Sequence, residues 1–450
     1  MGKKEEHRHE AHIVAVDMGY GHERPARSLA HLAVRGEGVI IANNYKGIPD
    51  RDKLMWRKTR EFYETLSRSK SVPLVGNTLF DLLVDSGQRI EPFYPSRDLS
   101  KPSVQLKNMY RGIKMGLGRH LIDLLAQNPV PIITTFFFTA FMAEEYDYPG
   151  DIWCVTTDAD ISRAWAPLDP KRSRIKYVAA NGRCAERLKL YGVRGEHIYL
   201  TGFPLPREIV DGPEPRALKQ DLVRRLCALD PKGFFRERYR NALDVELGRG
   251  TCPKTKRPSP PRLMFAVGGA GAQARLGDVI LKSFASSIRR GQIVLELMAG
   301  ARPQLGRVFK ESARRLRLER ALDRYLIVSA WRDRSDYFAG FNTSLRRCDV
   351  LWTKPSELSF YTGLGLPIIL APPVGSQEEF NRLWLGQIGG GVDQYDPRYA
   401  GEWFFDWLDS GALARMAWNG YIEAPTHGAF RIESCVFGEK TEVEPLPIIV

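Results

Sequence analysis

The sequence predicts an α/β protein made of two Rossmann-like parallel-sheet domains. Three observations carry this expectation. The chain has 450 residues, well above the ~250–300 at which single hydrophobic cores stop growing, so two domains are expected. A short apolar strand, a glycine-containing turn and a helix-like stretch occur in that order twice, at residues 12–34 and 263–288. Between these units the chain turns charged and proline-rich, ending in TCPKTKRPSPP, where neither a helix nor a central strand can continue.

Taking the elements in order, residues 12–17 read as an apolar strand, 18–22 as a turn and 23–34 as a helix. A strand at 38–42, helices at 52–67 and 104–126, and buried parallel strands at 130–135 and 152–157 follow. A helix at 182–191 and a strand at 197–201 close the first half at Gly202-Phe203-Pro204-Leu205-Pro206. The second half starts with a strand at 263–267 and a helix carrying Leu276, Ile280, Phe284 and Ile288 on one stripe. Strands at 293–298, 325–329, 350–353 and 367–370 fill its sheet, and the aromatic-rich stretch 402–421 reads as helix. The expected division is therefore 1–207, a linker or insertion at 208–261, a second domain at 262–400, and a helix and tail at 401–450.

With 43% hydrophobic and 26% charged residues the composition is that of ordinary globular proteins, which excludes a wholly disordered, fibrous or low-complexity chain. The formal charge of +13 suits an anionic partner. No recognition helix, RNP-type aromatic sequence or zinc finger accompanies it, so nucleic acid is not expected. No apolar run approaches the ~18 residues that span a bilayer, and the opening MGKKEEHRHE is too charged for a signal peptide, so a cytoplasmic location is expected. The six cysteines lie far apart without a C-x-x-C pair and read as reduced thiols, not as a disulfide framework or zinc site.

Several residues carry chemistry. Gly268, Gly269, Gly271, Ala272 and Gln273 form a small-residue loop that lets backbone N–H groups approach a phosphate at a helix N-terminus; tight packing alone would also explain it. Lys354 and Glu357 follow a strand end, where Glu357 would meet two hydroxyls of a ribose, or simply favour a helix start. One strand later, Gln377, Glu378 and Asn381 supply groups that read sugar hydroxyls, or an ordinary polar helix start. His22 follows Gly19 and Gly21 at a sheet's carboxyl edge, where an imidazole can serve as general base. Asp158-Ala159-Asp160 has the spacing with which two carboxylates grip a divalent cation. The second half already offers a helix terminus and basic residues to phosphates, so no metal is expected.

Together these segments resemble GT-B glycosyltransferases. GGAGAQ, TKPSELSFYTGLGLP and GSQEEFN in the second half are similar, in order and interval, to the inverting group containing monogalactosyldiacylglycerol synthase, processive diacylglycerol glucosyltransferases and the peptidoglycan lipid-intermediate glucosaminyltransferase. In the first half GYGH, Thr157-Asp158 with Trp165, and LTGFPL resemble the same group's motifs. The likeness covers residues 12–31, 153–207 and 263–385. It departs from the group at Ser356, which replaces the glycine of K-P-G, and in a shorter following segment that makes Glu357 only the nearest counterpart of the ribose-binding Glu. It departs again at Ser162, where lipid-directed members carry a histidine, which leaves the acceptor open.

The resemblance implies two domains facing each other across a cleft, with a C-terminal helix crossing back. It implies transfer of a sugar from a nucleotide-diphosphate sugar, UDP-linked, to an acceptor hydroxyl with inversion and without metal or cofactor, the nucleotide-sugar being a substrate. His22 would be the base, with Asp158 second, and Gly19, Gly21 and Trp165 would form the acceptor loop. Gly268 to Gln273 and Arg207 would hold the diphosphate, and Gln377, Glu378 and Asn381 match the group's Q-E-x-x-N. A lipid-linked acceptor at an anionic membrane surface, met by a peripheral protein, is also implied. The competing readings are a UDP-sugar 2-epimerase and a non-catalytic nucleotide-binding or scaffold protein.

Overall fold

The computed structural model describes residues 9–57, 90–250, 252, 259–268, 274–373 and 375–439. The chain divides into two compact units. Unit 1 comprises residues 1–206, 374–380 and 427–450; unit 2 comprises 207–373 and 381–426.

Unit 1 holds a six-stranded parallel sheet of β1 (His12–Ala15), β2 (Val39–Ile41), β3 (Ile132–Thr134), β4 (Ile152–Val155), β5 (Lys176–Ala179) and β6 (Ile198–Leu200), in the order β2-β1-β3-β4-β5-β6. Alternate residues feed two cores, as the two-residue period of a strand requires. Val14, Ile132, Cys154 and Tyr177 pack on one face. Ile13, Ile133, Trp153 and Val178 pack on the other, under Ala429 and Ile432 of the terminal helix Gly428–Phe437. Burial on both faces explains why these strands read as continuous apolar runs.

Unit 2 holds β7 (Arg262–Ala266), β8 (Val294–Gly300), β9 (Leu326–Ala330), β10 (Val350–Thr353), β11 (Ile368–Leu370) and β12 (Gly391–Asp393), all parallel, in the order β9-β8-β7-β10-β11-β12. Counted within the unit this is 3-2-1-4-5-6, the dinucleotide-fold order. Both units are thus Rossmann-like, the architecture that the GT-B resemblance implies.

Several expectations are corrected. The single helix at 104–126 is two helices, Val104–Lys114 and Arg119–Leu125, because Gly116 and Gly118 adopt φ of 105° and 82° between them. The helical stretch 402–421 is likewise split by Gly411 at φ 73° into Ala400–Asp409 and Ala412–Glu423. Of the expected linker or insertion at 208–261, the described residues hold the helices Arg216–Leu229, Phe234–Arg238 and Arg240–Leu247, which group with unit 2. Arg225 anchors them: it is buried, and its Nε and Nη1 donate to the carbonyls of Cys348 at 2.8 Å and Leu364 at 2.6 Å. Burial pulls this guanidinium down to about 10.

The cysteines are not all reduced. Cys227 and Cys252 are disulfide-bonded, with Cα atoms 5.4 Å apart. A spacing of 25 residues gives no motif: Cys227 lies near the end of the helix Arg216–Leu229, and two further helices separate it from Cys252. Cys154, Cys184 and Cys348 are buried free thiols. Among the described residues no helix is long and apolar enough to cross a membrane.

Candidate functional site

In a parallel sheet of this kind, ligands sit beyond the carboxyl ends of the strands where the strand order reverses. In unit 1 that point lies between β1 and β3. The segment after β1 supplies His22 and the segment after β3 supplies Thr135. Gly19, at φ 104°, starts the helix Tyr20–Ser28, so Gly21 and His22 lie in its first turn and not in the preceding loop as expected. His22 Nδ1 is 2.8 Å from the Thr135 carbonyl oxygen, and the Thr135 hydroxyl donates back to the His22 carbonyl at 2.7 Å. A carbonyl can only accept, so Nδ1 carries the proton, and in the neutral form of the ring the basic nitrogen is then Nε2. Phe136 meets the imidazole edge-on at 4.9 Å, and Trp165, buried on the 3-10 turn Arg163–Trp165, lies 6.4 Å away.

The D-x-D doublet beyond β4 is divided. Asp160 is 1% exposed and is held by the buried Arg187, Nε to Oδ1 at 2.9 Å and Nη2 to Oδ2 at 2.8 Å, while the Ile161 N–H donates to Oδ1 at 2.8 Å. Burial is the largest single influence on the Arg187 pKa and lowers it, but the hydrogen bonding to Asp160 together with the coulombic attraction of Asp160, Tyr191 and Cys184 leaves the group above its ordinary value. Asp160 is therefore a structural anion. Asp158 is half-buried, and its carbonyl accepts from Cys184 Sγ at 3.1 Å, which fixes the loop.

In unit 2 the order reverses between β7 and β10. Gly268 follows β7 and Lys354 follows β10, and the two meet: a Cβ at Gly268 would lie 3.1 Å from Lys354 Cε. Arg302, beyond the neighbouring β8, donates Nη1 to the Gly268 carbonyl at 3.1 Å. Two cations thus flank the glycine just ahead of the helix Ala274–Arg289. Gly269, Gly271, Ala272 and Gln273 lie outside the described residues.

The remaining candidates are more withdrawn. Ser356 caps the 3-10 helix Glu357–Leu364 through Leu358 N at 3.4 Å, and Glu357, the first residue of that helix, is 6% exposed. Gln377 and Glu378 open the helix Ser376–Gln387 and group with unit 1, while Asn381, in the same helix, is fully buried. Arg207 is the first residue of unit 2 and opens the short helix Arg207–Val210.

Thr135 and Arg302 were not singled out in the sequence. Thr135 is hidden in the run TTFFFTAF, which reads only as strand and buried helix. Arg302 had one usable signal, the Pro303 that starts a helix directly after a strand.

No family model matches the chain, and no curated protein matches it. Among solved structures the chain is similar to MurG of Acinetobacter baumannii, at 10% identity and a TM-score of 0.47, covering 95% of this chain and 99% of that one. It is also similar to S. aureus MnaA in its co-structure with UDP, at 12% identity and a TM-score of 0.45, with 75% and 81% covered. A third is Anabaena Alr3699/HepE in complex with UDP and glucose, at 12% identity and a TM-score of 0.39, with 73% and 79% covered.

Proposed function

We propose that the protein is a glycosyltransferase that moves a sugar from a UDP-sugar to an acceptor hydroxyl with inversion and without a metal ion. The observation that carries the reading is chemical pairing at the two points of strand-order reversal. One holds an imidazole in the tautomer of a general base, and the other sets two cations around a glycine at a helix start. The acceptor oxygen attacks the anomeric carbon as the bond to the diphosphate breaks. The hydroxyl proton passes to His22 Nε2, with Asp158 as the second candidate base. The departing diphosphate takes up the electron pair, and its charge is met by Lys354, Arg302 and the loop after Gly268. Arg207 is a further phosphate contact, Glu357 serves the ribose, and Gln377 and Glu378 serve the sugar.

The acceptor is proposed to be lipid-linked at an anionic membrane surface. The helix Pro303–Arg315 supports this with exposed Arg307, Lys310 and Arg314 around an exposed Val308. Sedimentation with anionic vesicles, but not with neutral ones, is the expected result.

The main experiment is a thermal-shift screen against UDP-, GDP- and dTDP-sugars, followed by product analysis. A ligand at 100 times its dissociation constant stabilises a fold by about 2.7 kcal/mol. Stabilisation by UDP-sugars together with acceptor-dependent release of UDP supports the reading. A sugar isomer formed without acceptor would make the protein an epimerase, and binding without turnover a nucleotide-binding module.

A further inference from the structure

His22 is reached from β1 through a short turn, and each end of that turn is gripped by one residue from beyond a neighbouring strand. At the β1 end Asn43, past β2, takes both polar groups of the Asp17 backbone. The Asp17 N–H donates to Asn43 Oδ1 at 2.8 Å, and Asn43 Nδ2 donates to the Asp17 carbonyl at 3.1 Å. At the helix end Thr135, past β3, takes His22: its carbonyl accepts from Nδ1 at 2.8 Å and its hydroxyl donates to the His22 carbonyl at 2.7 Å. Gly19, at φ 104°, makes the bend between the two grips.

Two bonds of opposite sense between the same two residues fix an orientation that a single bond leaves free to swivel. The bond at Nδ1 holds the ring, and the bond from the hydroxyl holds the backbone from which the ring hangs. Thr135 is itself immobile: it is fully buried, and its N–H continues the sheet ladder to the Val14 carbonyl at 3.1 Å. The preceding residue adds a third restraint. The Thr134 hydroxyl accepts from the Phe136 N–H and donates to the Phe136 carbonyl, both at 3.2 Å, which bends the chain past Thr135 and sets the Phe136 ring edge-on to the imidazole at 4.9 Å. The partner of Nδ1 is also chemically apt. A carboxylate there would fix the same tautomer while favouring the imidazolium, whereas a carbonyl fixes it without a negative charge and leaves the ring ready to accept a proton.

We propose that Thr135 is a positioning residue for the base: its hydroxyl locks His22 so that Nε2, in one tautomer and one orientation, takes the acceptor proton. This rests on the transferase reading and adds to it the residue on which the base depends. A base must be held within a fraction of an ångström of its productive place, and a grip from a buried strand end supplies that rigidity where a helix start alone would fray.

The test reads the ring first and turnover second. In nitrogen NMR of the full-length protein with isotope-labelled histidines, the His22 signals being assigned through His22→Gln, the neutral ring should appear as the Nδ1–H form alone. Thr135→Val, which removes the hydroxyl and keeps the volume, should give a mixture of tautomers, and Thr135→Ser, which keeps the hydroxyl, should return the single form. Turnover is followed as release of UDP from UDP-glucose and from UDP-N-acetylglucosamine, with water standing in as acceptor. Thr135→Val should lower kcat by about 10–100-fold with KM for the donor unchanged, and Thr135→Ser should recover most of the rate. An Nε2–H ring in the wild type, or a Thr135→Val protein with the wild-type tautomer and kcat, would overturn the proposal. So would a shifted tautomer with unchanged kcat, because the ring that Thr135 holds would then not be the base. If the wild type releases no UDP from either donor, the tautomer comparison decides alone; if it does not bind UDP either, the transferase reading falls while that comparison stands. Should Thr135→Val fail to fold, Thr135→Ala carries the same comparison.

Discussion

The two sheets reverse their strand order in the same way and furnish that point differently. In unit 1 the furniture is side chains in fixed bonds: His22 clasped to Thr135 in both directions, and Asp160 locked to Arg187 a strand away. In unit 2 it is a bare backbone position, Gly268, approached by Lys354 and by Arg302, two long side chains with many rotamers. The contrast follows the chemistry each would perform. Taking a proton demands one nitrogen at one place in one tautomer, so its support is buried and rigid. Meeting the charge of a diphosphate demands a field and room for the ligand, which glycine and flexible cations provide.

If that division is real, substitutions on the two edges should fail in different ways. The largest effect is expected at the imidazole. His22→Ala should lower the turnover number by roughly 10²–10⁴-fold while UDP affinity by calorimetry is unchanged. A parallel loss of UDP affinity would erase the division of labour. Next comes the buried pair beyond β4: Asp160→Asn strands a buried guanidinium and should lower stability by about 3–5 kcal/mol, read from denaturant unfolding. An effect near zero would mean that the pair is exposed to water in solution. On the other edge, Lys354→Ala and Arg302→Ala should each raise the dissociation constant for UDP by about 10-fold or more, with almost no change in unfolding midpoint. Loss of fold in either would show that unit 2 uses these cations structurally.

The same contrast explains what could be read in the sequence. Strands β1, β3, β4, β7 and β10 were legible because burial on both faces makes them unbroken apolar runs, and Gly268 was legible because a glycine-rich turn follows one of them. The helix Phe137–Glu145 was not, since seven of its nine residues, Phe137 to Ala143, are buried and its apolar residues therefore show no period. Long-range pairings were also hidden. Thr135 meets His22 across 113 residues, Asp160 meets Arg187 across 27, and Cys227 meets Cys252 across 25, and none of these leaves a local pattern. Asp160 shows this most plainly: its spacing from Asp158 is visible in the sequence, but only the helix after β5 reveals that Arg187 holds its carboxylate.

The finest test compares one glycine from each unit. Gly118 precedes the helix Arg119–Leu125 at φ 82°, and a Cβ there would run into Met142 Sδ. Gly118→Ala should therefore cost about 1–2 kcal/mol from the left-handed backbone alone, with the clash added. Gly268 carries no such backbone constraint, and its nearest neighbours are Lys354 Cε at 3.1 Å and Cδ at 3.4 Å, the far end of a flexible chain that can swing aside. Gly268→Ala should thus leave stability within about 0.5 kcal/mol of wild type, the range of substitutions that touch no packed feature. What it should change is where Lys354 sits. UDP affinity is expected to fall only a few-fold, less than in Lys354→Ala, because the ammonium is displaced and not removed. Combined with Lys354→Ala, the alanine at 268 should then have little further effect on UDP binding, since the group it displaces is gone. Additive losses in the double variant would mean that the glycine serves the ligand through its own backbone, and that the cations and the turn are separate parts of the site.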